Sequence, residues 1–105
     1  MSKRYRVIYS PEAVSDLKTI YAYIAFSLSN PTAAKSTSEA IRSAIRSLDT
    51  MPNRHELVDW EPMKTMGLHH FAIKNYVVYY LVDESECFVS IVRIFYGGRD
   101  VTKLF

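Results

Sequence analysis

The sequence predicts an α+β fold in the order β-α-α-β-β-β: an N-terminal strand, an antiparallel α-helical hairpin, then a three-strand antiparallel meander. Three observations predict it. Two stretches in the first half carry apolar residues at three- and four-residue steps, each opened by a capping residue and a proline. A short segment ahead of them alternates polar and apolar side chains. After Gly67 come three runs rich in Val, Ile, Tyr and Phe, joined by turns too short for a crossover.

"RYRVIYS" (4–10) is the first strand, with its alternation and its Val, Ile and Tyr content. Ser10 is a good N-cap, and Pro11 loses no hydrogen bond as a first helical residue. Val14, Leu17, Ile20, Tyr21, Ile24 and Leu28 then form one apolar stripe on a helix over 11–28. Asn30 and Pro31 repeat the start signal. The second stripe is Ala34, Thr37 or Ser38, Ile41, Ala44, Ile45 and Leu48, and Met51-Pro52 ends it. Small residues near its start let the two helices approach closely. Residues 52–66 hold two prolines and neither period, so they form a connecting loop long enough to be functional. "LHHFAIK" (68–74), "YVVYYLVD" (76–83) and "FVSIVRIFY" (88–96) complete the meander.

At 105 residues, 49% hydrophobic and 23% charged, a single folded domain over 1–105 is expected. A net charge of +2 permits a polyanionic partner without requiring one. The lone Cys87 cannot form an intramolecular disulfide, which fits a reducing cytoplasm, and beside Glu86 it is a poor catalytic thiolate. No apolar run approaches the ~20 residues of a membrane span, so a soluble, cytoplasmic protein without a membrane partner is expected.

Side chains with chemistry are few. His69 and His70 occupy adjacent strand positions and point to opposite faces, so they cannot easily share a metal. No zinc-type spacing, glycine-rich phosphate loop or nucleophile elbow occurs, and neither metal nor cofactor is expected. Asp59 and Glu61 lie in the loop, while Asp83, Glu84 and Glu86 lie at a turn. Lys35, Glu39, Arg42 and Arg46 share one face of the second helix and read as its solvent face.

Two features point to binding. The last two strands are apolar on both faces: Phe88, Val92, Ile94 and Tyr96 alternate with Val89, Ile91, Arg93 and Phe95. Two helices cover one face only, so the other needs packing or a partner. "RIFYGGRD" (93–100) is the second feature. Gly97-Gly98 frees the backbone direction and delivers Arg99 either to solvent or to a phosphate or carboxylate.

"YRVIYSPEAVSDLKTIYAYIA", "NPTAA", "IRSLDTMPNR", "MGLHHFAIKNYVVYYLVD" and "VSIVRIFYGGRD" occur in this order through nearly the whole chain. Together they resemble the RelE/ParE superfamily, toxins of bacterial type II toxin–antitoxin modules. The resemblance implies a helical hairpin on an antiparallel sheet and a cognate antitoxin whose C-terminal segment wraps the toxin in a hetero-oligomer. RelE-like members are ribosome-dependent mRNA endoribonucleases. Their lysine region here reads "LHHF", the residue after Tyr76 is Val77 rather than arginine, and Phe105 stands where a terminal tyrosine would be. Only Arg99 matches. If that branch applied, the resemblance would assign catalysis to His69, His70, Tyr96 and Arg99. The ParE-like branch fits the remaining text better, and it implies a toxin that binds DNA gyrase without catalysis of its own. Arg93, Phe95, Tyr96, Arg99, Tyr79 and Lys103 are then the residues expected to meet antitoxin or target.

Overall fold

A computed structural model describes residues 3–105 of the chain. Its elements are β1 (Arg6–Tyr9), α1 (Pro11–Ala22), a π-helical turn (Tyr23–Ser27), α2 (Pro31–Arg46), β2 (His69–Ile73), β3 (Tyr76–Asp83) and β4 (Phe88–Tyr96). Both helix starts form as the sequence predicts. The Ser10 hydroxyl accepts from the Ala13 N–H at 2.9 Å, and the Asn30 side chain accepts from the Ala33 N–H at 3.0 Å. The first helix ends differently from a uniform run over 11–28. Its last turn widens, with the Leu28 N–H donating to the Tyr23 carbonyl five residues back.

The sheet order is β1-β4-β3-β2. β2, β3 and β4 form the expected antiparallel meander. β1 departs from the wholly antiparallel sheet that the resemblance implied, because it runs parallel to β4, with Arg6 opposite Phe88 and Tyr9 opposite Ile91. The helical hairpin and the loop after it carry the chain across to the far edge, so β1 is left beside the last strand.

On the helix face, Ile41, Ile45 and Leu48 of the second helical segment pack with Leu17, Ile20 and Ile24 against Val78, Tyr80, Val89 and Ile91. The stripe of α1 is narrower than its spacing predicts. Ala13, Leu17, Ile20 and Ile24 are buried, whereas Val14, Tyr21 and Leu28 stay exposed.

One expectation about β4 is corrected. Val89, Ile91, Arg93 and Phe95 do not share a face, because a β-bulge lies where Tyr79 pairs with Arg93 but Tyr80 pairs with Ile91. Val92 is the extra residue. Val89 and Ile91 therefore enter the helix-face core, while Phe95 turns to the opposite side.

Of the two alternatives for the opposite side, packing or a partner, the fold supplies packing from this chain. Val58, Leu68, Tyr79, Phe95 and Val101 are buried there, with Trp60, Met63 and Phe105 packed over them. The Phe105 ring lies 5.0 Å from Tyr79 and 6.0 Å from Phe95, and Trp60 lies 6.2 Å from Tyr79. Apolar residues without any period, in the 52–66 loop and the C-terminal segment, do the covering. The loop also closes the outer edge of β2: the His70 N–H donates to Glu56 O at 3.0 Å, and the Val58 N–H to Leu68 O at 2.9 Å.

Candidate functional site

β1 is short, so β4 projects beyond it with an unpaired edge from Val92 onwards. α1 crosses that edge and supplies the missing partners. The Ser10 hydroxyl donates to Val92 O at 2.8 Å, and the Asp16 carboxylate accepts the Ile94 N–H at 2.9 Å. The same carboxylate takes Arg93 in two parallel bonds, 2.8 Å from Nε and 2.9 Å from Nη2. These bonds to Asp16 push the Arg93 guanidinium further above its ordinary pKa, burial opposing them in part. Arg93 is thus engaged within the chain.

Arg99 is not. Among the described residues no carboxylate lies within ion-pair distance of it; its guanidinium sits 5.1 Å from the Phe95 ring centroid, with Arg93 4.3 Å from the same ring. The turn that delivers it is closed by the Arg99 N–H donating to Tyr96 O at 3.1 Å and the Gly97 N–H to Asn75 O at 2.8 Å. The glycines serve close approach rather than unusual backbone angles, since Gly67 is the only glycine with positive φ. A Cβ on Gly97 would stand 3.3 Å from the Asn75 carbonyl, and one on Gly98 would stand 3.1 Å from the Tyr96 ring. Gly97 therefore lets the chain pass close to Asn75, and Gly98 leaves room for the Tyr96 ring beside the turn that presents Arg99.

The histidines lie elsewhere. His69 pairs with Tyr80 and His70 with Tyr79, whereas Tyr96 pairs with Tyr76. Three to four residues along β3 put ~10–13 Å between the two levels at ~3.3 Å per residue. His69 is buried with Nδ1 2.8 Å from His55 O and its ring stacked on Tyr80. His70 lies on the other face with Nδ1 3.2 Å from Glu56 O, stacked on Tyr79. The structure brings Tyr96 and Arg99 together but does not bring either histidine to them. Tyr79 and Phe95 are buried under Trp60 and Phe105, and Lys103 is exposed on the C-terminal segment.

Two grooves flank α1 on opposite sides. The first, of about 530 Å³, lies between α1, α2 and β1; Val7, Tyr9, Leu17, Tyr21 and Ile45 form its apolar surface, and Lys18, Arg42 and Arg46 its rim. No carboxylate lines it. Burial raises the pKa of Tyr9, with Arg42 and Arg46, which line the same groove, pulling against the rise. β1 is an edge strand there. Arg6 and Ser10 donate to β4, so Val7 and Tyr9 turn their N–H and C=O groups outward along the groove.

Arg42 and Arg46 are exposed, as their reading as a solvent face expects, and they also rim this groove. Their four-residue spacing was visible in the sequence, but nothing local placed Lys18 and Tyr9 opposite them. The second groove, of about 810 Å³, runs between the end of α1 and the β3–β4 end of the sheet; Tyr23, Tyr76, Tyr96, Lys74 and Arg99 line it. Among the described residues no cluster of His, Cys, Asp or Glu is arranged to hold a metal ion, and no helix is long and apolar enough to cross a membrane.

The family model described as the ParE toxin of the type II toxin–antitoxin system parDE matches residues 7–101. No curated protein matches the chain in sequence. Among solved structures, the chain is similar to one from the chromosomal ParDE toxin–antitoxin system of P. aeruginosa, with a TM-score of 0.72 and 19% identity over 90% of this chain and 98% of that one. It is also similar to a chain of the RelBE2 toxin–antitoxin complex of Mycobacterium tuberculosis, with a TM-score of 0.62 and 19% identity over 89% and 98%. A chain of the archaeal RelE–RelB complex of Pyrococcus horikoshii OT3 gives a TM-score of 0.63 and 19% identity over 92% and 99%. At that identity these likenesses concern the fold.

Proposed function

Since the chain belongs to the ParE toxin family of type II toxin–antitoxin systems, we propose that it inhibits growth in the cytoplasm by binding DNA gyrase, without chemistry of its own, and that a cognate antitoxin neutralises it. One observation carries the choice of binding over catalysis. RNA cleavage needs a base, a cation and an acid around one phosphate. Here the two candidate bases are stacked on tyrosines and bonded to backbone carbonyls, at levels three to four residues along β3 from that of Tyr96. Supercoiling by gyrase in the presence of the purified protein tests the reading. Inhibition at micromolar protein is expected, and unimpaired supercoiling would overturn it.

The groove between α1, α2 and β1 is the seat we assign to the antitoxin. Its three rim cations lack a lining carboxylate, and the open Val7–Tyr9 edge accepts an extended segment. An acidic, partly apolar segment that orders on binding fits both features. Arg42→Glu with Arg46→Glu should cost at least tenfold in affinity for the antitoxin, about 1.4 kcal/mol.

The endoribonuclease reading keeps one supporting observation, the pairing of Tyr96 with Arg99 at a single turn. Primer extension on translated mRNA from induced cells separates the two. Discrete cuts would favour the nuclease; intact mRNA with lost plasmid supercoiling would favour gyrase.

A further inference from the structure

We propose that the groove between α1, α2 and β1 binds a small amphipathic anion, a carboxylate on an apolar body of roughly eight carbons, with the carboxylate at Arg42 and Arg46 and the body against Val14, Leu17 and Tyr21. This goes beyond the toxin reading and needs no target. Only its consequence for neutralisation rests on the antitoxin occupying the same groove.

The apolar wall of the groove is uncovered. Val14, Leu17 and Tyr21 share one face of α1 at three- and four-residue steps; Leu17 is buried, but Val14 and Tyr21 are each 39% exposed. Apolar surface lining a concavity gains by leaving water, and a volume of about 530 Å³ suits a small molecule. The charged wall is equally unanswered. Arg42 and Arg46 stand four residues apart on α2, so both guanidinium groups can converge on one carboxylate, and Lys18 adds a positive charge from α1. The ion pairs among the described residues are Arg4–Asp49 and Arg93–Asp16. Glu39, three residues before Arg42, neither pairs with it nor lines the groove. Burial holds the Tyr9 phenol in its neutral form, so it can donate a hydrogen bond from the same groove.

The two walls together select the ligand. A bare oxyanion would leave Val14 and Tyr21 in water, and a neutral hydrocarbon would leave Lys18, Arg42 and Arg46 without a counter-charge. One molecule answers both only if it carries an anionic head and an apolar body. The groove beside Tyr5 and Met51 shows the contrast, because its Arg54 already donates to the Ser47, Thr50 and Met51 carbonyls. An anion lodged between α1 and α2 covers the surface that an acidic antitoxin segment needs, and so releases the toxin.

The test is isothermal titration calorimetry of the full chain with octanoate, 1-octanol and inorganic phosphate. Octanoate should bind with a dissociation constant of roughly 100 μM, and octanol and phosphate each at least about tenfold more weakly. Arg42→Gln with Arg46→Gln should weaken octanoate about tenfold, and Val14→Ser with Tyr21→Ser should do the same from the apolar side. Lys35→Gln, exposed on α2 outside the groove, should leave it unchanged. Circular dichroism checks that each variant is folded, and if one double variant is not, the other decides. No saturable octanoate binding up to about 2 mM would overturn the proposal. So would binding that survives both double variants, binding that Lys35→Gln weakens equally, or octanol or phosphate binding as tightly as octanoate. Size-exclusion chromatography of the purified toxin–antitoxin complex reads the consequence, and octanoate should release the antitoxin. Octanoate bound by the free toxin beside an intact complex would uphold the ligand site and move the antitoxin out of the groove.

Discussion

On one face of the sheet, Val78, Tyr80, Val89 and Ile91 lie under two helices whose stripes reach them at regular spacing. On the other, Tyr79 and Phe95 lie under Trp60, Met63, Val101 and Phe105, which come from segments without a period. The helix-face cover is held by its own backbone hydrogen bonds and by capped ends. The opposite cover relies on side-chain packing and a few loop bonds, and its Trp60 indole N–H is buried without an acceptor among the described residues. A sheet face can therefore be dry without a regular element on it, and such a cover belongs to the less stable end of a fold.

The largest expected effect lies under the helices. Ile41 is fully buried, and Ile41→Ala should cost about 2–5 kcal/mol, losing helical circular dichroism and Trp60 fluorescence in one urea transition. A change below ~1 kcal/mol would mean that the helix face is not the dominant core. Asp16→Ala comes next. It leaves the Arg93 guanidinium and the Ile94 N–H without their acceptor at the uncovered end of β4, and about 2–3 kcal/mol should be lost. If stability is unchanged, α1 is not needed to close that edge.

Phe105→Ala probes the other cover directly. Because Phe105 is only partly buried, roughly 1–3 kcal/mol is expected. The sharper sign is spectroscopic: Trp60, the one tryptophan, should shift its emission to the red while helical circular dichroism stays intact. Loss of both signals together would show that the two faces unfold as one unit. The smallest effect is a pH dependence. Burial lowers the pKa of His55 below its ordinary 6.5, with Arg54, His69 and His70 adding to the shift. As pH falls through 6.5 the unfolded chain takes up the proton first, so stability should decline from there down to the lowered value and then level off. Urea midpoints between pH 7.5 and 5 measure it, and His55→Gln should flatten the profile. Asp83, Asp100 and Glu61, whose pKa values are lowered mainly by hydrogen bonds, act in a separate, more acidic window.

Much of the fold was legible. Ser10-Pro11 and Asn30-Pro31 mark both helix starts, and β3 and β4 occupy 76–83 and 88–96 as read from their β-rich runs. Less of the site was. Arg93 looked free because its partner Asp16 lies 77 residues away in sequence. The bulge at Val92 moved Phe95 to the face opposite Ile91, which strict alternation cannot foresee. Arg42 and Arg46 are exposed, as read, but the groove they rim exists only once β1 and α1 stand beside α2.

Caps, turn glycines and apolar spacing act within a few residues, so they are written locally and survive any arrangement of the elements. The order of helices and strands, and the family, follow from such signals. Parallel pairing of β1 with β4, the sealing of the second face and the two grooves along α1 depend on distant segments competing for the same surface. Burying Trp60 and Phe105 against the sheet removes apolar area from water whatever period their segments carry, and that gain is settled only when the whole chain has folded.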